Sequence, residues 1–140
     1  MFDHVSLGVS DLARSCAFYD AVLKPLGLVR TSDFEGRGHD YGVFAGIRGI
    51  EFTITVEGNV APATGSHICF RARDRAAVHD FYEAALAHGG CDDGAPGLRP
   101  IYHPDYYGAF VLDPDGHRIE AVCHAPQEPP KEPPKEPAEN

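Results

Sequence analysis

Residues 4–27, HVSLGVSDLARSCAFYDAVLKPLG, return 63 positions later as residues 67–90, HICFRARDRAAVHDFYEAALAHGG. At that offset His4 falls on His67, Asp11 on Asp74, Ala13 on Ala76 and Phe18-Tyr19 on Phe81-Tyr82. Asp20 then falls on Glu83, Ala21 on Ala84, Leu23 on Leu86 and Gly27 on Gly90. A second block repeats after a small change of register. His39-Asp40-Tyr41-Gly42-Val43-Phe44 resembles residues 103–110, HPDYYGAF, and Ile50-Glu51 resembles Ile119-Glu120. One module is written twice.

Each copy reads as a strand, a helix and three more strands. Residues 4–9 alternate in polarity as a half-buried strand does. Asp11 is a natural N-cap for a helix running to about Lys24, with Leu12, Cys16, Tyr19, Val22 and Leu23 near one face. Pro25 and Gly27 end it. Residues 74–88 repeat the arrangement, with Gly89-Gly90 as the stop. Strands are expected near 28–32, 40–45 and 50–56 in the first copy, and near 98–102, 106–112 and 117–123 in the second. Asp113-Pro114-Asp115-Gly116 is a turn between the last two. The fold expected is α+β: two βαβββ modules forming a cupped mixed sheet with the helices outside.

The whole chain has 140 residues, the size of one ordinary domain. The ordered unit is expected over residues 1–125. Residues 126–140, rich in Pro, Glu and Lys, read as a flexible tail, because proline lacks an amide donor and favours extended geometry. No apolar run approaches the roughly twenty residues that cross a bilayer. The first residues lack the basic and apolar stretches of a secretory signal, so a cytoplasmic location is expected. Cys16, Cys69, Cys91 and Cys123 show no close metal-type spacing and read as free thiols, mostly in the core. A formal charge of −9 and the lack of a basic patch argue against nucleic acid. A small-molecule ligand fits better.

Side chains alternate along a strand, so His4, Ser6 and Gly8 share one face and His67, Cys69 and Arg71 the equivalent one. Arg118, Glu120, Val122 and His124 form a third such row, and Glu51, Thr53, Thr55 and Glu57 a fourth. The apolar alternates suit the helix-covered side, which leaves the polar rows on the concave side. Two histidines and two carboxylates at matching points of the repeat converge there: His4, Glu51, His67 and Glu120. Imidazole with carboxylate suits one divalent ion, Zn, Ni, Mn or Fe, with positions left open for substrate.

The motifs His4-Val5-Ser6-Leu7-Gly8-Val9-Ser10-Asp11, Phe18-Tyr19, Ser66-His67-Ile68 and residues 113–120, DPDGHRIE, resemble the vicinal-oxygen-chelate superfamily, the glyoxalase, bleomycin-resistance and extradiol dioxygenase group. The resemblance runs from Met1 to about His124. It implies metal ligands at His4, Glu51, His67 and Glu120, with Glu57 as substitute for Glu51. It also implies a metal-dependent glyoxalase-like lyase or isomerase acting on a small substrate with vicinal oxygens. The metal would stabilise an enediolate, and Glu51 or Glu120 would carry the proton. Residues 102–110, YHPDYYGAF, are similar to a segment of small glyoxalase-like proteins, which puts His103, Tyr106 and Tyr107 at the substrate. Glyoxalase I usually carries an arginine four residues after its first ligand, where Gly8 stands here. That departure points away from a glutathione adduct, although Arg71, matching Gly8 in the second module, could anchor an anionic group.

Three other activities share the pattern. His4, His67 and Glu120 alone form the facial triad of an Fe(II) extradiol dioxygenase. A fosfomycin thiol transferase would use the same triad, with added loops that are not identifiable here. A bleomycin-binding type of protein would need no metal ligands. Homodimers are common among such folds, and one is expected.

Overall fold

Both helices begin on the aspartates that cap them. The computed structural model describes residues 1–43, 51–127 and 129. The Asp11 side chain accepts from the Arg14 amide and opens α1, Leu12–Leu23. The Asp74 side chain accepts from the Ala77 amide and opens α2, Arg75–Ala87. Each cap satisfies an amide that the first helical turn leaves without a partner. A single 3-10 turn, Lys24–Leu26, follows α1, and Gly27 closes it at φ +83°, a left-handed value that suits glycine.

The strands are β1 Val5–Val9, β2 Val29–Asp33, β3 Gly38–Gly42 and β4 Phe52–Val56 in the first module. In the second they are β5 His67–Arg71, β6 Cys91–Leu98, β7 Tyr107–Leu112 and β8 Arg118–Cys123. They make two four-stranded sheets of identical topology, β1-β4-β3-β2 and β5-β8-β7-β6. In each, the outer pair β1·β4 or β5·β8 is parallel and the remaining pairs are antiparallel. This is the expected α+β pair of βαβββ modules. Apolar side chains of both modules meet in one core, including Tyr19, Val22, Phe52 and Ile54 from the first and Val78, Phe81, Val111 and Ile119 from the second. The helices cover one face of each sheet; the other carries no helix and mixes exposed residues such as Ser6 and His67 with enclosed ones such as Asp40 and Glu120.

Two expectations need correcting. A strand was expected at 98–102, but β6 occupies Cys91–Leu98 and residues 99–106 form the turn that follows. Glycines and Pro96 disguise it: β6 is an edge strand, where a missing amide is tolerated, and its register slips at Asp92/Gly94 and at Gly94/Gly97. The second correction concerns how the modules superpose. Val5 pairs with Phe52, and its repeat partner Ile68 pairs with Ile119. Thr53 therefore stands where Glu120 stands, and Glu51 matches Arg118. The similarity of Ile50-Glu51 to Ile119-Glu120 is two residues out of structural register.

Residues 44–50, the end of the expected third strand and the start of the fourth, lie outside the described residues, as does most of the tail. Cys16 and Cys123 are buried and Cys69 and Cys91 exposed, all four as free thiols. Among the described residues no helix is long and apolar enough to cross a membrane.

The turn at 113–116 joins the modules as well as two strands. The Tyr19 hydroxyl donates to Asp113 Oδ2 at 2.6 Å, and His117 Nε2 lies 2.8 Å from the Gly8 carbonyl. The Ser10 amide donates to Asp115 Oδ2 at 3.1 Å, and Arg14 reaches Asp115 Oδ1 at 3.2 Å.

Candidate functional site

On the helix-free face of the second sheet, β5 presents His67, Cys69 and Arg71 beside Arg118 and Glu120 of β8. His67 Nε2 lies 3.2 Å from Glu120 Oε2. Only 1% of Glu120 is exposed. A carboxylate so enclosed needs partners, and the Tyr106 hydroxyl donates to its Oε1. Gly108 on β7 makes room for that contact. A Cβ there would come within 3.2 Å of both Glu120 Oε1 and the Tyr106 ring.

Burial, and then the hydrogen bond to Glu120, raise the Tyr106 phenol above its ordinary range. The Cys69 thiol is pushed up to about 12, by burial first and then by the negative charge of Glu120. Cys69 is thus a neutral thiol on this wall, without the thiolate character that makes cysteines reactive.

Phe110, opposite Glu120 in the β7·β8 ladder, sits at the centre of this wall. Its ring centre is 6.0 Å from that of His67, and the guanidinium carbons of Arg99 and Arg118 lie 5.9 and 5.6 Å from it. Further along, His103 Nε2 and His124 Nδ1 are 2.8 Å apart, with the rings stacked. The Asp105 amide donates to His103 Nδ1, so a neutral His103 carries its proton on Nε2 and donates it to His124. Tyr106 packs edge-on against both rings. Tyr107 behaves differently. It points to the helix side, where its hydroxyl lies 2.7 Å from His79 Nε2 and Arg75 covers its ring.

The first sheet is arranged otherwise. His4 is exposed just ahead of β1, with Nδ1 2.6 Å from Asp3 Oδ1. Glu51 is exposed ahead of β4, and its backbone joins β1 to β3 through Val5 and Tyr41. Glu57 follows β4 and lies over Gly8, where a Cβ would meet its Cγ at 2.8 Å. The enclosed carboxylate of this sheet is Asp40, 1% exposed, which accepts from Thr53 Oγ1 at 2.6 Å and from the Ser32 hydroxyl. Sequence reasoning passed over Asp40, although its place in the repeated 39–44 block was a signal.

The structure thus brings His67, Glu120 and Tyr106 together, with His103 close behind and Arg71 exposed on the same wall. It does not bring His4 or Glu51 to them. Among the described residues, no three His, Cys, Asp or Glu side chains lie where they could hold one metal ion. The donor pair itself fits such an ion. An imidazole nitrogen and a carboxylate oxygen 3.2 Å apart match two neighbouring ligands, each about 2.0–2.2 Å from a shared cation.

Residues 1–121 match the model of the Glyoxalase/Bleomycin resistance protein/Dioxygenase superfamily. Among solved structures, a glyoxalase/bleomycin resistance protein from Albidiferax ferrireducens is 34% identical with a TM-score of 0.73, covering 88% of this chain and 98% of that one. The fosfomycin resistance protein FosX from Listeria monocytogenes shares the fold at 18% identity and TM-score 0.65, covering 88% and 92%. A glyoxalase I variant from Zea mays does so at 22% and 0.65, covering 86% of this chain and 45% of its own. No curated protein matches the chain. Repeat, topology and match agree: the chain belongs to the glyoxalase/bleomycin resistance protein/dioxygenase superfamily.

Proposed function

We propose that this protein is a divalent-metal-dependent, glyoxalase-like lyase or isomerase acting on a small substrate with vicinal oxygens. The observation that carries the reading is the His67–Glu120 pair, 3.2 Å apart on an enclosed carboxylate. His4 would supply the third ligand and Glu51 the fourth. A bound Zn, Ni, Mn or Fe ion would act as a Lewis acid on two neighbouring substrate oxygens. Glu120 or Glu51 would accept the proton from the carbon that bears one of those oxygens and adjoins the carbonyl carbon, and Tyr106, already donating to Glu120, would hold that carboxylate in place. Arg71 and His103 would contact the remainder of the substrate.

His4 and Glu51 do not reach the pair within one chain, so a homodimer that unites the first module of one copy with the second module of another is part of this proposal. So is a cytoplasmic setting, in keeping with four free thiols, and a functional unit of residues 1–125 with 126–140 appended.

One observation favours a second reading. Thr53, not a carboxylate, occupies the position equivalent to Glu120, which leaves a two-histidine, one-carboxylate set suited to Fe(II) and dioxygen chemistry of the extradiol type.

Elemental analysis of untagged protein decides among these. About one transition metal per chain, lost in His67→Ala and Glu120→Gln, is the expected result, and iron would favour the dioxygenase. No uptake from Ni, Zn, Mn or Fe(II) would overturn both enzymatic readings and leave a metabolite- or drug-binding protein.

A further inference from the structure

Among the described residues Arg99 and Arg71 both lack an ion pair on this wall, but Arg71 is exposed whereas Arg99 is seated against the sheet. Arg118 is neutralised by Asp93, with Nε 2.6 Å from Oδ2. Arg14 has Asp115, Arg30 has Asp20 and Arg73 has Asp74. Among the described residues Arg99 has no carboxylate within ion-pair distance. Its guanidinium makes one hydrogen bond, Nη2 to the Ala95 carbonyl at 2.8 Å, although it carries five N–H donors.

The fold holds this group in place. The backbone of Arg99 is pinned by its amide donating to the Tyr106 carbonyl at 2.7 Å and by the Tyr102 amide donating back at 3.0 Å. Its side chain lies along a trough on β6 where two side chains are missing. A Cβ on Gly97 would stand 3.1 Å from Nη1, and one on Gly94 would stand 3.3 Å from both Nη2 and the Phe110 ring. That ring is the one that faces His67 and pairs across the ladder with Glu120. A chain with a net charge of −9 therefore keeps an uncompensated guanidinium, fixed in place by its trough, on the wall that carries its donor pair, where the exposed Arg71 is likewise without an ion pair among the described residues.

We infer that the substrate carries a carboxylate separate from its vicinal oxygens, and that Arg99, seated over Gly94 and Gly97, receives it. A planar fork with free donors matches a carboxylate. The inference rests on the metal reading for the position of the vicinal oxygens.

Isothermal titration of the metal-loaded full chain tests it with two pairs of 2-oxo acids. 2-Oxoglutarate and 2-oxoadipate carry a tail carboxylate; 2-oxopentanoate and 2-oxohexanoate share the head without it. At least one charged-tail acid is expected to bind wild type about tenfold or more tightly than its uncharged partner. Arg99→Gln should bind all four at the uncharged-tail affinity with metal affinity unchanged, and Arg99→Lys should keep part of the preference. Gly97→Ala, which crowds the guanidinium but leaves Arg99 present, should also weaken it.

Equal binding of charged and uncharged tails by wild type would overturn the inference and leave the metal reading intact. So would a preference that survives Arg99→Gln or that disappears in Arg71→Gln instead. If none of the four acids binds the loaded protein, the inference is overturned, while the metal reading stands or falls on the metal content measured separately.

Discussion

At the scale of single residues, the second module's wall works by enclosing polar groups and giving each a partner. Glu120 is almost wholly buried and survives as a polar residue because Tyr106 and His67 face it. Replacing Gly108 with Ala would insert a methyl 3.2 Å from both the carboxylate and the tyrosine ring. We expect a loss of about 1–3 kcal/mol in urea unfolding, the usual cost of overpacking; an unchanged midpoint would show that the Tyr106–Glu120 contact is loose. Cys69 reports on the same environment. It is exposed as a residue while its thiol turns toward Glu120 and Tyr106, and the ionised form is the disfavoured one. Iodoacetamide should therefore label Cys69 of the metal-free protein roughly 100-fold more slowly at pH 8 than an ordinary thiol. The rate should still be climbing past pH 10, where an ordinary thiol has levelled off. Glu120→Gln removes one cause of the shift and should speed labelling, as peptide mapping would reveal.

At the scale of elements, the turn between β7 and β8 ties α1 and β1 to the second sheet. Its Asp113 accepts from Tyr19, and also from the backbone amides of Asp115 and His117. Tyr19→Phe keeps the ring and removes the hydroxyl that meets this buried carboxylate. A loss of about 1.5–3 kcal/mol is expected, as for a hydrogen bond to a charged group. The Tyr19 phenol is raised well above its ordinary value, by burial first and then by the charge of Asp113. An unfolded phenol ionises near pH 10, so the contribution of Tyr19 is complete below about pH 10 and declines as pH rises beyond it. Urea midpoints should hold level from pH 7 to 8, begin to fall near pH 9 as the unfolded Cys69 thiol ionises, and fall further at pH 10 to 11. The fall should be smaller in Tyr19→Phe but not abolished, because Tyr41 is raised as well, by burial and by Asp20.

At the scale of the whole molecule, each sheet has one face sealed by its helix and one without a helix, and the candidate ligands divide between the two helix-free faces. If the metal site forms between copies, His4→Ala and His67→Ala proteins should each bind no metal alone. Refolded together, they should recover about one metal per mixed dimer, since one of its two sites is then free of substitutions. A site closed within one chain would give no recovery on mixing. The readout is metal content after size-exclusion chromatography, so it needs no knowledge of the substrate.

The repeat of His4–Gly27 at His67–Gly90, the two aspartate caps and the alternating strands were legible in the sequence because they depend on local geometry: one side chain meeting one amide, or every second residue facing the core. His67 and Glu120 were legible as candidates for the same reason, since alternation puts each on the face away from the apolar alternates, whereas Tyr106 was legible only through the resemblance of residues 102–110. Edge strand β6 was not, because glycine and proline obscure its pattern and only pairing with β7 gives it a register. The two-residue offset that sets Thr53 at the position of Glu120, the burial of Asp40, the turning of Tyr107 toward α2 and the seating of Arg99 on a glycine trough were decided by tertiary structure alone. Each depends on which backbone lies alongside, and a ladder's register or the space left by a missing side chain belongs to two segments distant in the chain.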